Sequence, residues 1–139
     1  RRHVAMNDTD TAGVVYVAAP SAWAQVGFER LLRLAGRPLE TILPRDLHYP
    51  AVNMSIDHHR PLRLGDEILV RTGFIHVGTR SIRSRSEVFA AADGSRACTV
   101  TRTSVAVSRR GDSVVAEDWY RELLVSEEEL ALVGQEAVL

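Results

Sequence analysis

Residues 21–35, with the sequence SAWAQVGFERLLRLA, decide the fold that we predict for this chain. Apolar side chains recur in this stretch at spacings of three and four residues, which is the pattern of a helix with one apolar face. The face comprises Trp23, Val26, Gly27, Leu31, Leu34 and Ala35, and Phe28 and Leu32 widen it. Pro20 and Ser21 suit the first turn of a helix, with Ser21 as a capping type. Gly36 and Pro38 suit its end. The pattern predicts one long helix that is apolar over much of its circumference and is covered by a sheet.

Gly27 lies inside this predicted helix, where a glycine costs about 1 kcal/mol relative to alanine. A helix that keeps a glycine at an apolar position often does so because another part of the chain comes very close. We therefore expect another backbone to approach the helix at Gly27.

Four segments after the helix alternate apolar and polar residues, which predicts strands. They span residues 52–62, 67–77, 81–91 and 97–107, and tight turns at Gly65-Asp66, Gly78-Thr79 and Asp93-Gly94 join the later ones. Residues 3–7 are expected to be extended, and residues 39–43 to form a short helical turn. Residues 117–124 and 126–132 are expected to form amphipathic C-terminal helices, with Ser126 and Glu129 as a capping box. The order predicts an α+β fold in which one early helix packs on an antiparallel meander sheet.

Length and composition limit the classes of function. The chain has 139 residues, which favours a single domain over 1–139 with a C-terminal helical segment over about 117–139. The net charge is −1, so no basic excess indicates nucleic acid or a membrane surface as a partner. All 17 basic residues are arginines, and the absence of lysine excludes Schiff-base and P-loop chemistry. The single cysteine, Cys98, cannot form an internal disulfide, and we expect a cytoplasmic protein.

Residues 7–16, with the sequence NDTDTAGVVY, are the candidate site of chemistry. Asp8 and Asp10 lie two residues apart, shortly before the predicted helix. A carboxylate beside the free N–H groups of a helix N-terminus can attack a bound substrate or activate water. A calcium-binding loop is excluded because Ala12 and Ala19 occupy two of the positions that would need oxygen ligands. An ordinary solvated turn that caps the helix explains the same residues, and both interpretations stay open at this point.

The remaining reactive side chains give weaker signals. His58 and His59 are adjacent on a predicted strand and point to opposite faces, so they cannot both bind one metal. Cys98 has no activating neighbour in the sequence and is expected to pack in the core. The sequence therefore predicts no metal site and no cofactor.

Three motifs together resemble a known family. The pattern Asp8-Thr9-Asp10-x-x-Gly13-x-Val15-Tyr16, followed by a helix, resembles the hot-dog-fold acyl-CoA thioesterases of the 4-hydroxybenzoyl-CoA thioesterase type. Residues 56–67 (IDHHRPLRLGDE) resemble the second strand of that family and the turn after it, and residues 77–81 (VGTRS) resemble the next hairpin. The resemblance covers nearly the whole chain, from residue 3 to about residue 124.

This resemblance implies a hot-dog fold, in which an antiparallel sheet wraps around one long central helix. It implies a homodimer, which in the family often associates further into a tetramer. The substrate would be an acyl-CoA or an acyl carrier protein thioester. Asp10 would be the catalytic nucleophile or general base, and the backbone N–H of Val17 would polarise the thioester carbonyl. Gly13, Tyr16 and Arg80 would contact the substrate, with Arg80 on the phosphates of CoA. Asp8 would be a turn or capping residue.

The chain also departs from the family pattern. Many relatives have His at the position of Val17, Asn-Tyr at Ala19-Pro20, and Glu on the helix at Gln25. These losses of polar side chains keep two alternatives open: a non-catalytic acyl-binding dimer and a carrier-protein-specific thioesterase of a polyketide pathway. A hot-dog dehydratase would need a paired His and acid in a different motif, which the sequence lacks.

Overall fold

The computed structural model describes residues 1–131, which form one antiparallel sheet with a long helix packed on one face. The strands are β1 (Arg2–His3), β2 (Ala51–His58), β3 (Glu67–Val77), β4 (Ser81–Ala90) and β5 (Arg96–Val105), in the spatial order β1-β3-β4-β5-β2. The helices are α1 (Pro20–Leu34), α2 (Leu39–Ile42) and α3 (Glu127–Ala131), and 3-10 turns span Met6–Asp8, Leu43–Arg45 and Asp118–Leu123. The predicted α+β fold with one central helix is confirmed.

The predicted boundaries of the main elements are accurate to within a few residues. Helix α1 begins and ends one residue earlier than predicted, and β3 has the predicted bounds. The strand predicted over residues 52–62 ends at His58 instead, because the N–H groups of His59 and Arg60 both turn onto the carbonyl of Ala97, at 2.8 and 3.2 Å. The expected extended segment over residues 3–7 is wrong in part. The backbone is extended in β1 and again at Ala5 (φ −98°, ψ 167°), whereas Met6–Asp8 forms a 3-10 turn.

Helix α1 buries one side against the sheet and leaves the other side open in a single chain. Trp23, Phe28 and Leu32 are buried, and the Phe28 ring packs edge-on against Phe74 of β3 with centroids 5.7 Å apart. Val26 and Leu34, predicted to lie on the buried face, are 51% and 58% exposed. The prediction was wrong for these two because the sheet covers only one side of the helix.

The start of α1 also differs from the expected cap. The residue that precedes the helix is Ala19, which makes no side-chain capping bond. The Ser21 hydroxyl donates a hydrogen bond to the carbonyl of Ala18 at 2.7 Å instead. The first N–H groups of α1 therefore have no side-chain cap, and those of Ser21 and Ala22 donate instead to the carbonyls of Ala18 and Ala19, each at 3.1 Å.

The close approach predicted at Gly27 is present, although the neighbour is a side chain and not a backbone. A Cβ atom at Gly27 would lie 2.2 Å from the hydroxyl oxygen of Thr72 on β3. That hydroxyl is held in place by a 2.7 Å hydrogen bond with the Ser86 hydroxyl on β4. Only glycine allows α1 to pack this closely on the sheet.

The opposite face of the sheet is covered by α3. Side chains of Val125 and Leu130 pack over Gly73 of β3. The Ser126 hydroxyl accepts a hydrogen bond from the Glu129 N–H at 3.0 Å, which is one of the two hydrogen bonds of the predicted capping box. The predicted helix over residues 117–124 is a 3-10 turn, and the end of the last predicted helix lies outside the described residues. None of the described helices combines the length and apolar character needed to cross a membrane.

Candidate active site

The loop that carries the two aspartates is a tight hairpin. The N–H of Asp10 donates to the carbonyl of Val14 at 2.9 Å, and the N–H of Tyr16 donates to the carbonyl of Asp8 at 3.2 Å. Gly13 closes the tip with a 3.0 Å bond to the Asp10 carbonyl and has φ of +74°, a conformation that favours glycine. These bonds place Asp10 near the tip of the hairpin.

Two further backbone bonds fix this hairpin to the segment that follows β2. The Val15 N–H donates to the Leu62 carbonyl at 2.8 Å, and the Leu64 N–H donates to the Gly13 carbonyl at 2.9 Å. The Asp66 carboxylate accepts a 2.8 Å bond from the Arg63 N–H and shapes that segment. The aspartate motif and the Arg-Pro-x-x-x-Gly-Asp motif, about fifty residues apart in the chain, therefore form one structural unit.

Asp8 is a buried structural residue. Its carboxylate accepts hydrogen bonds from Arg2 at 2.8 Å, from the Ala5 N–H at 2.9 Å and from the Trp23 indole N–H at 3.2 Å. The bond from Ala5 caps the 3-10 turn over Met6–Asp8. The bonds of Asp8 join β1, this turn and α1, which agrees with the role of a turn or capping residue.

Asp10 is exposed, and its carboxylate is held by one oxygen only. Oδ1 accepts hydrogen bonds from the N–H groups of Ala12, at 2.9 Å, and Val14, at 3.3 Å. Oδ2 accepts none from any residue in the range 1–131. The backbone thus orients the carboxylate and leaves one oxygen available for a substrate or a water molecule.

Val17 lies three residues before α1 and is 72% exposed. Its N–H makes no hydrogen bond within the part of the chain that the structure describes, whereas its carbonyl accepts a 2.9 Å bond from Nε2 of His58. A carbonyl oxygen only accepts, so Nε2 of His58 carries the proton in this bond. The predicted oxyanion donor is therefore available, and a histidine of β2 holds its residue in place.

His58 is a candidate site residue that the sequence interpretation did not single out, since it lines the cavity described below and binds the carbonyl of Val17. Its position at the end of β2 marks it as a strand residue, and no local pattern links it to Val17, which lies 41 residues earlier. His59 points to the other side of the sheet, where its Nε2 lies 2.9 Å from the Thr99 hydroxyl. The two histidines therefore have separate environments, as predicted. No group of three or more His, Cys, Asp or Glu side chains in the described residues is arranged to hold a metal ion.

A cavity of about 420 Å³ lies next to this hairpin. Its walls include Val14, Val15, Val17, His58, Leu62 and Cys98. Cys98 is buried, and burial, with a smaller effect of the Glu87 charge, raises the pKa of its thiol to about 12. The thiol is therefore neutral and packs in the core as predicted, so the cavity offers an apolar surface beside the Asp10 hairpin.

The structure brings together four of the five predicted site residues. Asp10, Gly13, Tyr16 and Val17 share the hairpin and its exit, and Tyr16 is 44% exposed. Arg80 lies in the turn between β3 and β4, where its carbonyl accepts a 2.8 Å bond from the Ala106 N–H. This turn is at the opposite end of the sheet, about 23 Å along β5 from the cavity at Cys98. Within one chain, Arg80 is not close to Asp10.

Comparisons with known proteins agree with this architecture. A family model described as the thioesterase superfamily matches residues 12–97, which is more than half of the chain. A 1,4-dihydroxy-2-naphthoyl-CoA hydrolase of Crocosphaera subtropica is 33% identical over 89 residues, which cover 63% of this chain and 65% of that protein. A second hydrolase of the same name, from Rippkaea orientalis, is 34% identical over 70 residues, which cover 50% of this chain and 51% of that protein. The chain thus spans less than two thirds of the length of these relatives.

Solved structures show the same fold. A 1,4-dihydroxy-2-naphthoyl-CoA thioesterase from Synechocystis superposes with a TM-score of 0.78 and 23% identity, over 86% of this chain and 89% of that chain. A gentisyl-coenzyme A thioesterase superposes with a TM-score of 0.78 and 18% identity, over 86% of this chain and 96% of that chain. Together with the match over residues 12–97, these superpositions confirm the predicted hot-dog fold, and the chain belongs to the thioesterase superfamily.

Proposed function

We propose that this protein is a thioesterase that hydrolyses an acyl-CoA to the free acid and CoA, with Asp10 as the catalytic carboxylate. The observation that carries this proposal is the geometry of Asp10. Backbone N–H groups fix its Oδ1, and its Oδ2 is left without a partner in the described residues. The same hairpin contributes Val14, Val15 and Val17 to the walls of the apolar cavity. Asp10 belongs to the hairpin that forms one wall of this cavity, and we propose that the thioester end of the bound substrate extends to its free carboxylate oxygen.

Two chemical routes use this arrangement. In the first, Oδ2 of Asp10 attacks the thioester carbon, the C–S bond breaks, and CoA leaves as a thiolate that then takes up a proton. Water hydrolyses the resulting mixed anhydride and restores the carboxylate. In the second, Asp10 accepts a proton from a water molecule that attacks the same carbon, the C–S bond breaks, and the departing CoA thiolate takes up the proton from Asp10. Both routes place negative charge on the carbonyl oxygen, which the N–H of Val17 would stabilise.

Family membership and the named relatives support hydrolysis of a CoA thioester. The two curated relatives are named for a hydroxylated naphthoyl-CoA, so we expect this chain to act on an aromatic or similarly apolar acyl group. The aspartate motif supports our further proposal that the chain is of the 4-hydroxybenzoyl-CoA thioesterase type within the superfamily. Gly13 shapes the hairpin, and the exposed ring of Tyr16 is proposed to contact the substrate.

Substitution of Asp10 tests the proposal. We expect Asp10→Asn to lower kcat for a panel of aryl-CoA and alkyl-CoA substrates by about a hundredfold or more, because the amide is neither a nucleophile nor a base. Asp8→Asn is the matched comparison. Because Asp8 is buried and bonds to Arg2 and Trp23, its loss should lower the melting temperature and change kcat much less. Wild-type rates in Asp10→Asn would contradict the proposal. A single turnover in oxygen-18 water that labels Asp10 would favour the anhydride route.

The carrier of the acyl group is a separate question. Turnover of one acyl group attached to CoA and to an acyl carrier protein shows which thioester this chain prefers. Tight binding of an acyl-CoA without any hydrolysis would instead support the non-catalytic acyl-binding alternative, for which the loss of the usual histidine at Val17 is the supporting observation.

We also propose that the active form is a homodimer. Strand β2 is the last strand of the sheet, and its free edge is available to a second copy of the chain. Arg80 lies far from Asp10 in one chain, so its predicted contact with CoA phosphates would have to cross such an interface.

A further inference from the structure

A second cavity, of about 440 Å³, lies between α1 and the β5–β2 side of the sheet. Its walls include Gln25, Phe28, Leu39, His48, Tyr49 and Arg102. It lies on the same side of the sheet as the first cavity, because Cys98 and Arg102 are four residues apart on β5 and point to the same face. That separation corresponds to about 13 Å along the strand. An acyl group about 13 Å long would span this distance.

Arg102 is a buried cation without a carboxylate partner. It is 8% exposed, and it forms no ion pair within residues 1–131. One guanidinium nitrogen donates to the amide oxygen of Gln25, the guanidinium carbon lies 4.9 Å from the centre of the Phe28 ring, and Nε has no hydrogen-bond partner. Gln25 also donates a hydrogen bond from its amide nitrogen to the Glu29 carboxylate at 2.8 Å, so this side chain links Arg102 to the negative charge of Glu29. A buried guanidinium with an N–H group that has no hydrogen-bond partner lowers the stability of the fold unless an acidic group pairs with it.

His48 supplies a second unpartnered nitrogen to the same cavity. Its Nε2 is buried without a hydrogen bond, and Asp46 Oδ1 lies 3.9 Å away, beyond hydrogen-bond distance. Backbone bonds in both directions with Val107, each 2.9 Å, hold the residue in place. The buried Arg102 and the partly exposed His48 thus line one cavity from different elements, and each has a nitrogen atom without a hydrogen-bond partner in the described residues.

We propose that this second cavity binds an acidic oxygen, a carboxylate or a phenolate, carried by the acyl group at the end remote from the thioester. Arg102 is the residue that selects for this oxygen, and His48 is the second contact. The guanidinium is well suited to bind such an oxygen, and the apolar walls formed by Phe28, Leu39 and Tyr49 suit the body of the acyl group. The inference rests on the proposed thioesterase function and adds the chemical class of its substrate.

The test compares substrates that differ only in the acidic group. One pair is 2-naphthoyl-CoA and 6-hydroxy-2-naphthoyl-CoA, whose single hydroxyl lies at the end remote from the thioester, and the other is octanoyl-CoA and its ω-carboxylated analogue. The variants are Arg102→Met, Arg102→Lys and the control Arg83→Met, whose arginine is exposed on the opposite face of β4. We expect wild type to prefer the acidic member of at least one pair by tenfold or more in kcat/KM. The pair that shows the preference identifies the oxygen as a phenolate or a carboxylate.

Arg102→Met should lose this preference and keep its rate on the unsubstituted member within about threefold, since replacing a buried ion by an apolar residue need not destabilise the fold. Arg102→Lys should keep part of the preference, and Arg83→Met all of it. Equal rates on both members in wild type, or an unchanged preference in Arg102→Met, would overturn the inference while leaving the thioesterase proposal intact.

If wild type hydrolyses none of these thioesters, the proposed function fails, and binding of the free acids still tests the cavity. Titration calorimetry with 6-hydroxy-2-naphthoate and with suberate should then show at least tenfold weaker binding of one of them to Arg102→Met. Equal affinities, or no binding to wild type, would overturn the inference. Should Arg102→Met fail to unfold cooperatively, the same comparison is made with Arg102→Lys.

Discussion

Nε2 of His58 donates a 2.9 Å hydrogen bond to the carbonyl oxygen of Val17. This bond joins the last residue of β2 to the loop that carries the candidate oxyanion donor, in a region where the first turn of α1 has no side-chain cap. The backbone of Val17 is otherwise exposed. We therefore regard His58 as a positioning residue for the N–H of Val17.

Replacing His58 tests this role. We expect His58→Phe to lower kcat by about tenfold with little change in KM. The reason is that a displaced Val17 N–H loses more of its interaction with the transition state than of its interaction with the bound substrate. His58→Gln, whose amide can still donate to the carbonyl, should recover part of the loss. His76→Phe, an exposed histidine on β3, is the control, and thermal unfolding shows whether each variant folds. Wild-type kcat in His58→Phe would show that the bond does not position Val17.

Gly27→Ala should destabilise the fold. The added Cβ would lie 2.2 Å from the Thr72 hydroxyl, so α1 or β3 must move. Overpacking of this kind costs about 1–3 kcal/mol, which outweighs the higher helix propensity of alanine. Urea unfolding of the purified protein measures the change in the free energy of unfolding.

A double-mutant cycle identifies the cause of that loss. Thr72→Ala removes the hydroxyl that the new methyl group would meet, and it also breaks the bond to Ser86. If steric overlap is responsible, Gly27→Ala should cost less in the Thr72→Ala background than in wild type. If Gly27→Ala lowers the free energy of unfolding equally in both backgrounds, overlap with the Thr72 hydroxyl is not the cause of the loss.

The elements that sequence reasoning located well are those with a local periodic signal. The alternation with a period of two in residues 67–77 predicted the bounds of β3 correctly. The spacings of three and four residues predicted the bounds of α1 to within one residue. Gly27 was informative because glycine is unfavourable in a helix unless packing requires it. These signals depend on residues close in the chain, so a single sequence contains them.

The features that sequence reasoning missed depend on contacts between distant parts of the chain. The exposure of Val26 and Leu34 depends on how far the sheet wraps around α1, which the helix sequence does not encode. The bond between His58 and Val17 requires the end of β2 to lie beside the entry to α1. Arg102 looked like an ordinary strand residue, and its burial follows from the packing of Phe28 against it.

Glu87 should make stability depend on pH. It is fully buried on the sheet face under α3 and accepts hydrogen bonds from Arg85 at 2.8 Å, Arg96 at 2.7 Å and Thr99 at 2.8 Å. Burial raises the pKa of Glu87, but the hydrogen bonds from its three partners together outweigh burial, so the pKa lies below its ordinary value of 4.5. A depressed pKa means that the carboxylate contributes stability above pH 4.5, and that this contribution is lost as the pH falls through the lowered value.

Glu87→Gln measures this contribution. We expect it to lower the free energy of unfolding by about 3 kcal/mol at neutral pH, because two arginines lose their buried partner. The variant should also lose less stability than wild type on acidification below pH 4.5, since it lacks the titrating group. Urea unfolding at both pH values gives the two differences, with the exposed Glu122→Gln as control. Parallel pH profiles for Glu87→Gln and wild type would contradict the assignment.

The free edge of β2 should mediate dimerisation. Val52 and Met54 on this strand are 59% and 38% exposed in a single chain, and an unpaired edge with apolar side chains favours pairing with another strand. We expect sedimentation velocity to show a dimer for wild type and a monomer for Val52→Glu, because the new carboxylates would be brought together at the paired edges. Val115→Glu, which alters an equally exposed valine (61%) away from β2, should remain dimeric. If hydrolysis requires groups from both chains, as we propose for Asp10 and Arg80, kcat/KM should fall with the dimer fraction. A monomeric wild type with full activity would refute both the interface and the shared site.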